Sequence, residues 1–338
     1  MKRLRRDLLF LLLAVLPVAV LDALGAFRVL AARLEAGLAA GAPLTMAESA
    51  PWRPPASFAP EASAPAEDEA ITEGPVPTEE PSPSPEPLPP EEGHSEAALP
   101  AVRIGGKQTP DLRGLLREGW SYTLGDEGPQ ILILHSHTCE AFTPEGEDRY
   151  TPSGDWRTLE EGQSVVALGD LLTKILEEKG FRVLHDREKY DWPAYNGAYD
   201  RSGEAVRSLL EDNPTIRVVI DLHRDALGGR KTHYAAPDGG DSAQVMLLLT
   251  TGENGLYHPG WRENLKLGLE IQRQMEKDYP GLARDLDLSP ARYNQHLSPG
   301  SFLLEVGTEA NTLQEAKNAV RLFADCLAAV LETHREGG

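Results

Sequence analysis

From about residue 101 onward the hydrophobic positions alternate between two periodicities. Short apolar runs predict β-strands at 131–134, 181–185, 216–223, 244–250 and 301–307. Helical spacing between them predicts helices at 165–180, 202–211, 261–278 and from Thr312 onward, the last with a capping box formed by Thr312 and Glu315. Strands that are apolar on both faces and alternate with helices predict an α/β fold, a mostly parallel sheet flanked by helices.

A second apolar pattern lies at the N-terminus. Four basic residues up to Arg6 precede an apolar run from Leu8 to Phe27, in which Asp22 is the one charge. Such a run is long enough to cross the hydrocarbon core of a bilayer. Its basic flank would stay in the cytoplasm, so the rest of the chain would lie outside the cell membrane. A cleaved signal peptide is the competing interpretation, since small residues such as Ala23 and Ala26 would suit processing.

Composition changes abruptly between these two regions. Of the 27 prolines, 14 lie between Pro51 and Pro100, together with 11 acidic residues and the single basic Arg53. Such a segment buries too little apolar surface to fold, so it predicts a disordered linker. Roughly half of the net charge of −20 lies there, and a chain this acidic is a poor candidate for nucleic-acid binding. The predicted organisation is a cytoplasmic tail (1–7), a transmembrane anchor (8–32), a disordered Pro/Glu-rich linker (33–105) and a catalytic domain (106–338).

Candidate chemistry follows the strand at 131–134. His135 and His137 come next, with Glu140 three positions further on. Successive side chains of a strand point to opposite faces, so the H-x-H spacing predicts that both imidazoles point to the same side. The pair could bind one divalent ion, or could merely satisfy hydrogen bonds at the end of the strand.

Two other predicted strands also end in polar groups. The strand at 216–223 leads into His223 and Arg224, and Glu305 lies inside the last strand. Because ligands gather at the carboxyl ends of parallel strands, these residues are expected along one rim with His137. A buried salt bridge between Glu305 and Arg224 is the alternative without catalysis.

This set of side chains suits zinc hydrolysis. Zinc binds imidazole and carboxylate and keeps one position open for water, whose pKa it lowers to near 7. Glu305 is predicted to be the catalytic acid/base, and Arg224 to polarise a carbonyl or hold an anionic substrate. Cys139 and Cys326 lie far apart and offer no metal motif, and Cys139 is a weak candidate for a nucleophile.

Several stretches together resemble one family, stage II sporulation protein P. The matching runs are ILILHSHTCEAF, VVALGDLLTKILEEKGFRVLHD, YNGAYDRS, VVIDLHRDA, YPGLARD and YNQHLSPGSFLLEVGTEANTLQEA. The resemblance covers nearly all of 131–323 and the layout of anchor and linker. It implies an amidase-like fold and a zinc enzyme that cuts the amide between N-acetylmuramic acid and L-alanine, with endopeptidase action on peptide cross-links. It also implies peptidoglycan as substrate, and stage II sporulation protein D as partner.

Carried over by position, the resemblance implies zinc ligands at His137 and His223, with Glu305 as acid/base. His135 and Glu140 are further candidates, and Glu160 and Glu161 compete with Glu140 for the carboxylate position. Two other functions stay open: a non-catalytic peptidoglycan-binding protein with the same fold, and a zinc carboxypeptidase or deacylase.

Overall fold

A computed structural model describes residues 99–145, 156–253 and 255–336, which lie within one compact unit, Glu69–Gly338. The predicted tail, the anchor at 8–32 and nearly all of the predicted linker lie outside the described residues. Among the helices that are described, none combines the length and the apolar character needed to cross a bilayer.

The structure has the α/β architecture that the pattern predicts. Its elements follow in this order: β1 Val102–Ile104, α1 Leu112–Glu118, β2 Ile131–Leu134, α2 Val165–Glu178, β3 Val183–His185, α3 Ala198–Asp212, β4 Val218–Asp225, β5 Tyr234–Ala235, β6 Asp241–Ser242, β7 Val245–Thr250, α4 Trp261–Asp278, β8 Leu286–Ser289, β9 Gly300–Thr308 and α5 Leu313–Glu332. Short 3-10 turns lie at Glu161–Gln163 and Gln295–Leu297.

Seven strands form the main sheet in the order β1-β8-β7-β9-β4-β2-β3. Neighbouring strands are parallel throughout the described sheet except β7 and β9, which are antiparallel. No helix is described between β4 and β7, and the small β5–β6 hairpin lies there instead. Two strands of a sheet that run in the same direction normally need a helical crossover between them. The connection from β4 to β7 has only the hairpin, and β7 runs antiparallel to its neighbour β9. The mostly parallel sheet is confirmed.

Helices cover both faces of this sheet. On β2, Ile131 and Ile133 pack into the larger core with α2, α4 and α5, whereas Leu132 and Leu134 pack into a smaller core with α3. The same alternation on β4 and β9 directs His223 and Glu305 to the face that carries α3. We call these the α2 face and the α3 face.

Local signals explain most element ends. Ser164 caps α2 by accepting a hydrogen bond from the Val166 N–H, and Gly180 follows that helix in the left-handed conformation. Thr312 and Glu315 form the predicted capping box at the start of α5. The folded domain begins earlier than residue 106, because β1 pairs with β8 through Val102–Ile104.

Candidate active site

The first two histidines do not point to the same side. β2 ends at Leu134, and the chain turns through residues 136–139. His135 continues on the α2 face, where a Cβ on Gly169 of α2 would approach its Nε2 to 2.7 Å. The turn carries His137 to the α3 face, where its ring lies 5.4 Å from that of His223. The prediction of a shared side is wrong, because strand alternation holds only within the strand.

His135 has a partner for each ring nitrogen. Its Nδ1 lies 2.7 Å from the Leu222 carbonyl oxygen, and its Nε2 lies 2.9 Å from His185 Nε2. The side chain is fully buried, and burial together with the neighbouring His185 lowers the pKa of His135 to about 3. The structure therefore does not bring His135 to the other candidate ligands.

Four candidate residues do come together on the α3 face: His137, Glu140, His223 and Glu305, which we call the His–Glu cluster. His223 Nδ1 lies 3.4 Å from Glu140 Oε2, and His223 is the direct neighbour of Glu305 across the β4–β9 pair. Among residues 99–145, 156–253 and 255–336, His137 Nδ1 and Glu305 Oε2 are both buried without a hydrogen-bond partner. Buried polar atoms are rarely left unpaired, so these two atoms indicate a ligand-binding place.

Asp221 orients the imidazole of His223. Its Oδ1 accepts from His223 Nε2 at 2.7 Å, and its two oxygens accept from the Ser136 N–H and Oγ–H at 2.8 and 2.7 Å. Fixing Nε2 in this way directs the other nitrogen, Nδ1, toward Glu140. A carboxylate behind a histidine is the usual second layer of support in metal sites.

The donor set fits a zinc ion chemically. Two imidazoles and a carboxylate with a further acid nearby are the groups that catalytic zinc sites use. In the described part of the chain, no group of three His, Cys, Asp or Glu side chains is close enough together to coordinate one metal ion. His137 Nδ1 has no partner among the described residues, and His223 Nδ1 faces the Glu140 carboxylate, so these are the two nitrogens that such an ion would take.

Electrostatics separate the two carboxylates of the cluster. Burial opposes ionisation of Glu140, but His223 and then Arg224 outweigh it and lower the pKa of Glu140 below its usual range. Burial raises the pKa of Glu305 well above its usual value, and the negative charge of Asp225 adds to the effect. Two acids driven apart in this way suit different roles, a permanently charged ligand and a proton carrier.

Arg224 lies beside the cluster, next to Glu140. Its guanidinium donates to the carbonyl oxygens of Ala141, at 2.9 Å, and Trp156, while its backbone N–H donates to Glu140 Oε2 at 3.1 Å. Arg224 thus positions Glu140. The arginine that acts on Glu305 is Arg284, which pairs with Asp225 at 2.6 Å. Its charge offsets a small part of the rise in the pKa of Glu305. Arg284 lies in the run YPGLARD that resembles the family, but no chemistry was predicted for it, because it lies in a loop before β8 and not at the end of a predicted strand.

The competing carboxylates lie elsewhere. Glu160 is exposed, and Glu161 pairs with Lys189 at 2.5 Å. Cys139 is buried, and desolvation together with Asp191 raises the pKa of its thiol to about 12. A thiol that keeps its proton at neutral pH is a poor nucleophile.

Aromatic rings form one wall of the site, and the sequence analysis did not predict this wall. Tyr195 stacks on His137 with ring centroids 4.4 Å apart, and Tyr199 meets the same histidine edge-on at 5.3 Å. Tyr293 continues the row, 5.1 Å from Tyr199. The density of tyrosines at 190–199 was the available signal for the first two. All three tyrosines lie in runs that resemble the family, but the sequence pattern predicted no role for them.

Comparison with known proteins identifies relatives of the chain. The family model described as "Stage II sporulation protein P" matches residues 55–328. Stage II sporulation protein P of Bacillus subtilis (strain 168) is 28% identical over 245 residues, which cover 69% of this chain and 58% of that protein. The match therefore spans less than two thirds of that relative.

Solved amidase structures also align with the chain. The N-acetylmuramoyl-L-alanine amidase AmiC2 of Nostoc punctiforme is 12% identical, with a TM-score of 0.36 over 61% of this chain and 97% of that one. The CwlD amidase from Clostridioides difficile, in complex with the GerS lipoprotein, is 13% identical, with a TM-score of 0.37 over 61% and 98%. These scores are too low to carry an inference about this chain.

Proposed function

Because the chain belongs to the stage II sporulation protein P family, we propose that it is a membrane-anchored, zinc-dependent peptidoglycan hydrolase that acts in sporulation. Its reaction would be cleavage of the amide between the lactyl group of N-acetylmuramic acid and L-alanine. The observation that supports this most is the His–Glu cluster, where buried His137 Nδ1 and Glu305 Oε2 have no partner in the described part of the chain.

His137, Glu140 and His223 would hold the zinc ion. When bound, the ion would polarise the scissile carbonyl and lower the pKa of a water molecule. Glu140 suits a ligand because its pKa lies below the usual range, so it stays charged at neutral pH. Asp221 and the backbone N–H of Arg224 keep His223 and Glu140 in place.

Glu305 would move the proton. Water adds to the amide carbon, Glu305 takes one of its protons, and the carboxyl then gives that proton to the departing nitrogen as the C–N bond breaks. The products are a lactyl carboxylic acid and a free L-alanine amino group. Burial and the charge of Asp225 raise the pKa of Glu305, so its carboxylate holds a proton more strongly than an ordinary glutamate does, which suits a group that takes a proton from water and then passes it on.

The rest of the chain would bring this site to its polymeric substrate. The apolar run at 8–32 would hold the protein in the cell membrane with the catalytic domain outside, and the acidic linker would set its reach. Peptide cross-links are a second candidate substrate, and stage II sporulation protein D is the partner that family membership suggests.

Two other functions can be separated from this one. A non-catalytic peptidoglycan-binding protein would have little reason to keep a buried, unpartnered carboxyl such as Glu305, which costs free energy. A zinc carboxypeptidase or deacylase would use the same cluster on smaller substrates.

The test is digestion of purified peptidoglycan by the full chain in detergent, with zinc and with a chelator. We expect new L-alanine amino termini that disappear with the chelator and in His223→Ala. His233→Ala is the matched control, since that histidine is exposed and lies away from the cluster. Binding without new termini would favour the non-catalytic function, and release of single terminal amino acids would favour the carboxypeptidase.

A further inference from the structure

The loop between β8 and β9, residues 290–299, has an unusual backbone. Tyr293 and Asn294 both adopt positive φ, at 41° and 59°. Residues other than glycine rarely adopt this left-handed backbone conformation. Two such residues in succession keep it only where the surrounding structure fixes them.

Asn294 ties this loop to α3. Its Nδ2 donates to the Tyr199 carbonyl oxygen at 2.7 Å and lies 3.3 Å from Ser202 Oγ. A Cβ on Gly203 would come within 2.7 Å of Asn294 Oδ1, so the close approach requires glycine there. Ser202 Oγ in turn contacts Ser136 Oγ at 2.8 Å, which links the loop to the Asp221 network behind His223.

A second set of bonds ties the loop to β7. Thr250 Oγ1 donates to the Arg292 carbonyl oxygen at 3.1 Å, and Gln295 Nε2 donates to the Leu248 carbonyl oxygen at 2.9 Å. Hydrogen bonds on both sides of Tyr293 therefore keep its backbone in a conformation that is unfavourable for an isolated tyrosine.

The ring of Tyr293 is linked to the cluster through Tyr199. It lies 5.1 Å from Tyr199, whose own ring is 6.4 Å from His223. Burial and then the charge of Glu305 raise the pKa of Tyr293 to about 12, so its hydroxyl keeps its proton at neutral pH. Within the described part of the chain this hydroxyl makes no hydrogen bond, and the residue is only partly buried.

We propose that the Tyr293 hydroxyl donates a hydrogen bond to the carbonyl oxygen of the scissile amide. This role rests on the proposed function. The ring lies in the row of tyrosines that contacts His137 and His223, the hydroxyl makes no hydrogen bond among the described residues, and the backbone on both sides is fixed by hydrogen bonds to α3 and β7. A fixed donor aimed where negative charge develops during amide hydrolysis is worth most in the transition state. It would supply the polarising contact that the sequence assigned to Arg224.

The test is Tyr293→Phe in the full chain, which removes only the hydroxyl and keeps the ring contact with Tyr199. With zinc and a soluble disaccharide-peptide muropeptide, we expect kcat to fall about 10- to 100-fold while KM changes less than about threefold. Bound zinc and the thermal unfolding midpoint should match the wild type. Tyr122→Phe is the control, since Tyr122 is an exposed tyrosine that lies outside the cluster.

Each outcome decides the proposal. If the wild type cleaves and Tyr293→Phe keeps kcat within twofold, Tyr293 does not contact the reacting carbonyl and only the proposed function stands. A rise in KM with unchanged kcat would also overturn this role, because it would place the hydroxyl on a part of the substrate away from the carbonyl. If the zinc-loaded wild type leaves the muropeptide intact, the proposed function fails together with this inference.

Discussion

Two histidine pairs lie on opposite faces of the same sheet, and their surroundings differ. On the α2 face, His135 bonds the Leu222 carbonyl oxygen and His185, and His185 Nδ1 in turn lies 3.0 Å from Asp170 Oδ1. On the α3 face, His223 is held by Asp221 and Glu140, while the buried Nδ1 of His137 has no partner among the residues that the structure describes. The first pair is a closed network, and the second is open.

The difference shows how a structural histidine is separated from a candidate ligand. Residue type, burial and position at a strand end are alike for His135 and His137. What distinguishes them is whether the chain itself satisfies the ring nitrogens. A closed pair should contribute to folding, and an open cluster should contribute to chemistry.

The largest effect is expected from Glu305→Gln in the open cluster. Loss of a positioned acid/base should lower the rate of muropeptide cleavage about 10²- to 10⁴-fold. Zinc content, measured by elemental analysis, should not change, because Glu305 is not among the proposed ligands. Loss of zinc in this variant would mean that Glu305 is a ligand and that its proposed role is wrong.

Exchange of the competing carboxylates should sharpen the ligand assignment. We expect Glu140→Gln to weaken zinc affinity by at least about 100-fold, because a ligand charge is lost. Glu161→Gln, which only breaks the exposed contact with Lys189, should leave zinc affinity unchanged. The opposite result in competition titrations with a zinc chelator would assign the ligand to Glu161.

Asp221→Asn should have an intermediate effect. The amide can still accept from Ser136 but holds the His223 imidazole less strongly, so we expect zinc affinity to fall about 10- to 100-fold. Chelator titration measures this directly. Unchanged affinity would indicate that Asp221 serves the fold alone.

The closed pair should respond through stability instead. In His135→Gln we expect the free energy of unfolding to fall by about 1–3 kcal/mol, because buried partners such as the Leu222 carbonyl lose their hydrogen bond. Zinc affinity and kcat at low temperature should stay near wild-type values. Urea unfolding and zinc titration of the same preparation measure the stability and the zinc affinity of the variant. Loss of zinc binding would mean that His135 is a zinc ligand.

Acid should also reveal the closed pair. The pKa of His135 falls from 6.5 to about 3 on folding, so the unfolded chain binds a proton that the folded chain refuses. This contribution to stability is complete above pH 6.5 and is lost as the pH falls toward 3, at about 1.4 kcal/mol per pH unit. In metal-free protein, unfolding of His135→Gln should take up about one proton fewer than wild type near pH 5. Equal pH slopes would contradict the buried, neutral state of His135.

The sequence predicted those parts of the fold that carry strong local signals. β2, α4 and the Thr312–Glu315 capping box are confirmed, because dense apolar runs and a capping motif act locally. β1 and β8 were missed, since three- and four-residue strands leave too short a pattern. The antiparallel direction of β7 was missed because a strand buried on both faces reads the same in either direction.

The site was predicted only in part, for a related reason. The alternating pattern predicted that the strand ends meet at one edge of the sheet. This is why it placed together His137, His223 and Glu305. The side to which His137 points depends on a turn at 136–139 that the periodicity does not show. The choice of Glu140 over Glu161, and the places of Arg284 and Tyr293, depend on contacts between distant loops.

The proposed hydrolase activity depends most on which side chains share one metal ion. X-ray absorption spectroscopy of the zinc-loaded full chain measures this directly. We predict a first shell with two imidazoles and oxygen ligands, and the same spectrum for His135→Gln. Scattering from three imidazoles that drops to two in His135→Gln, or from a sulfur atom, would contradict it.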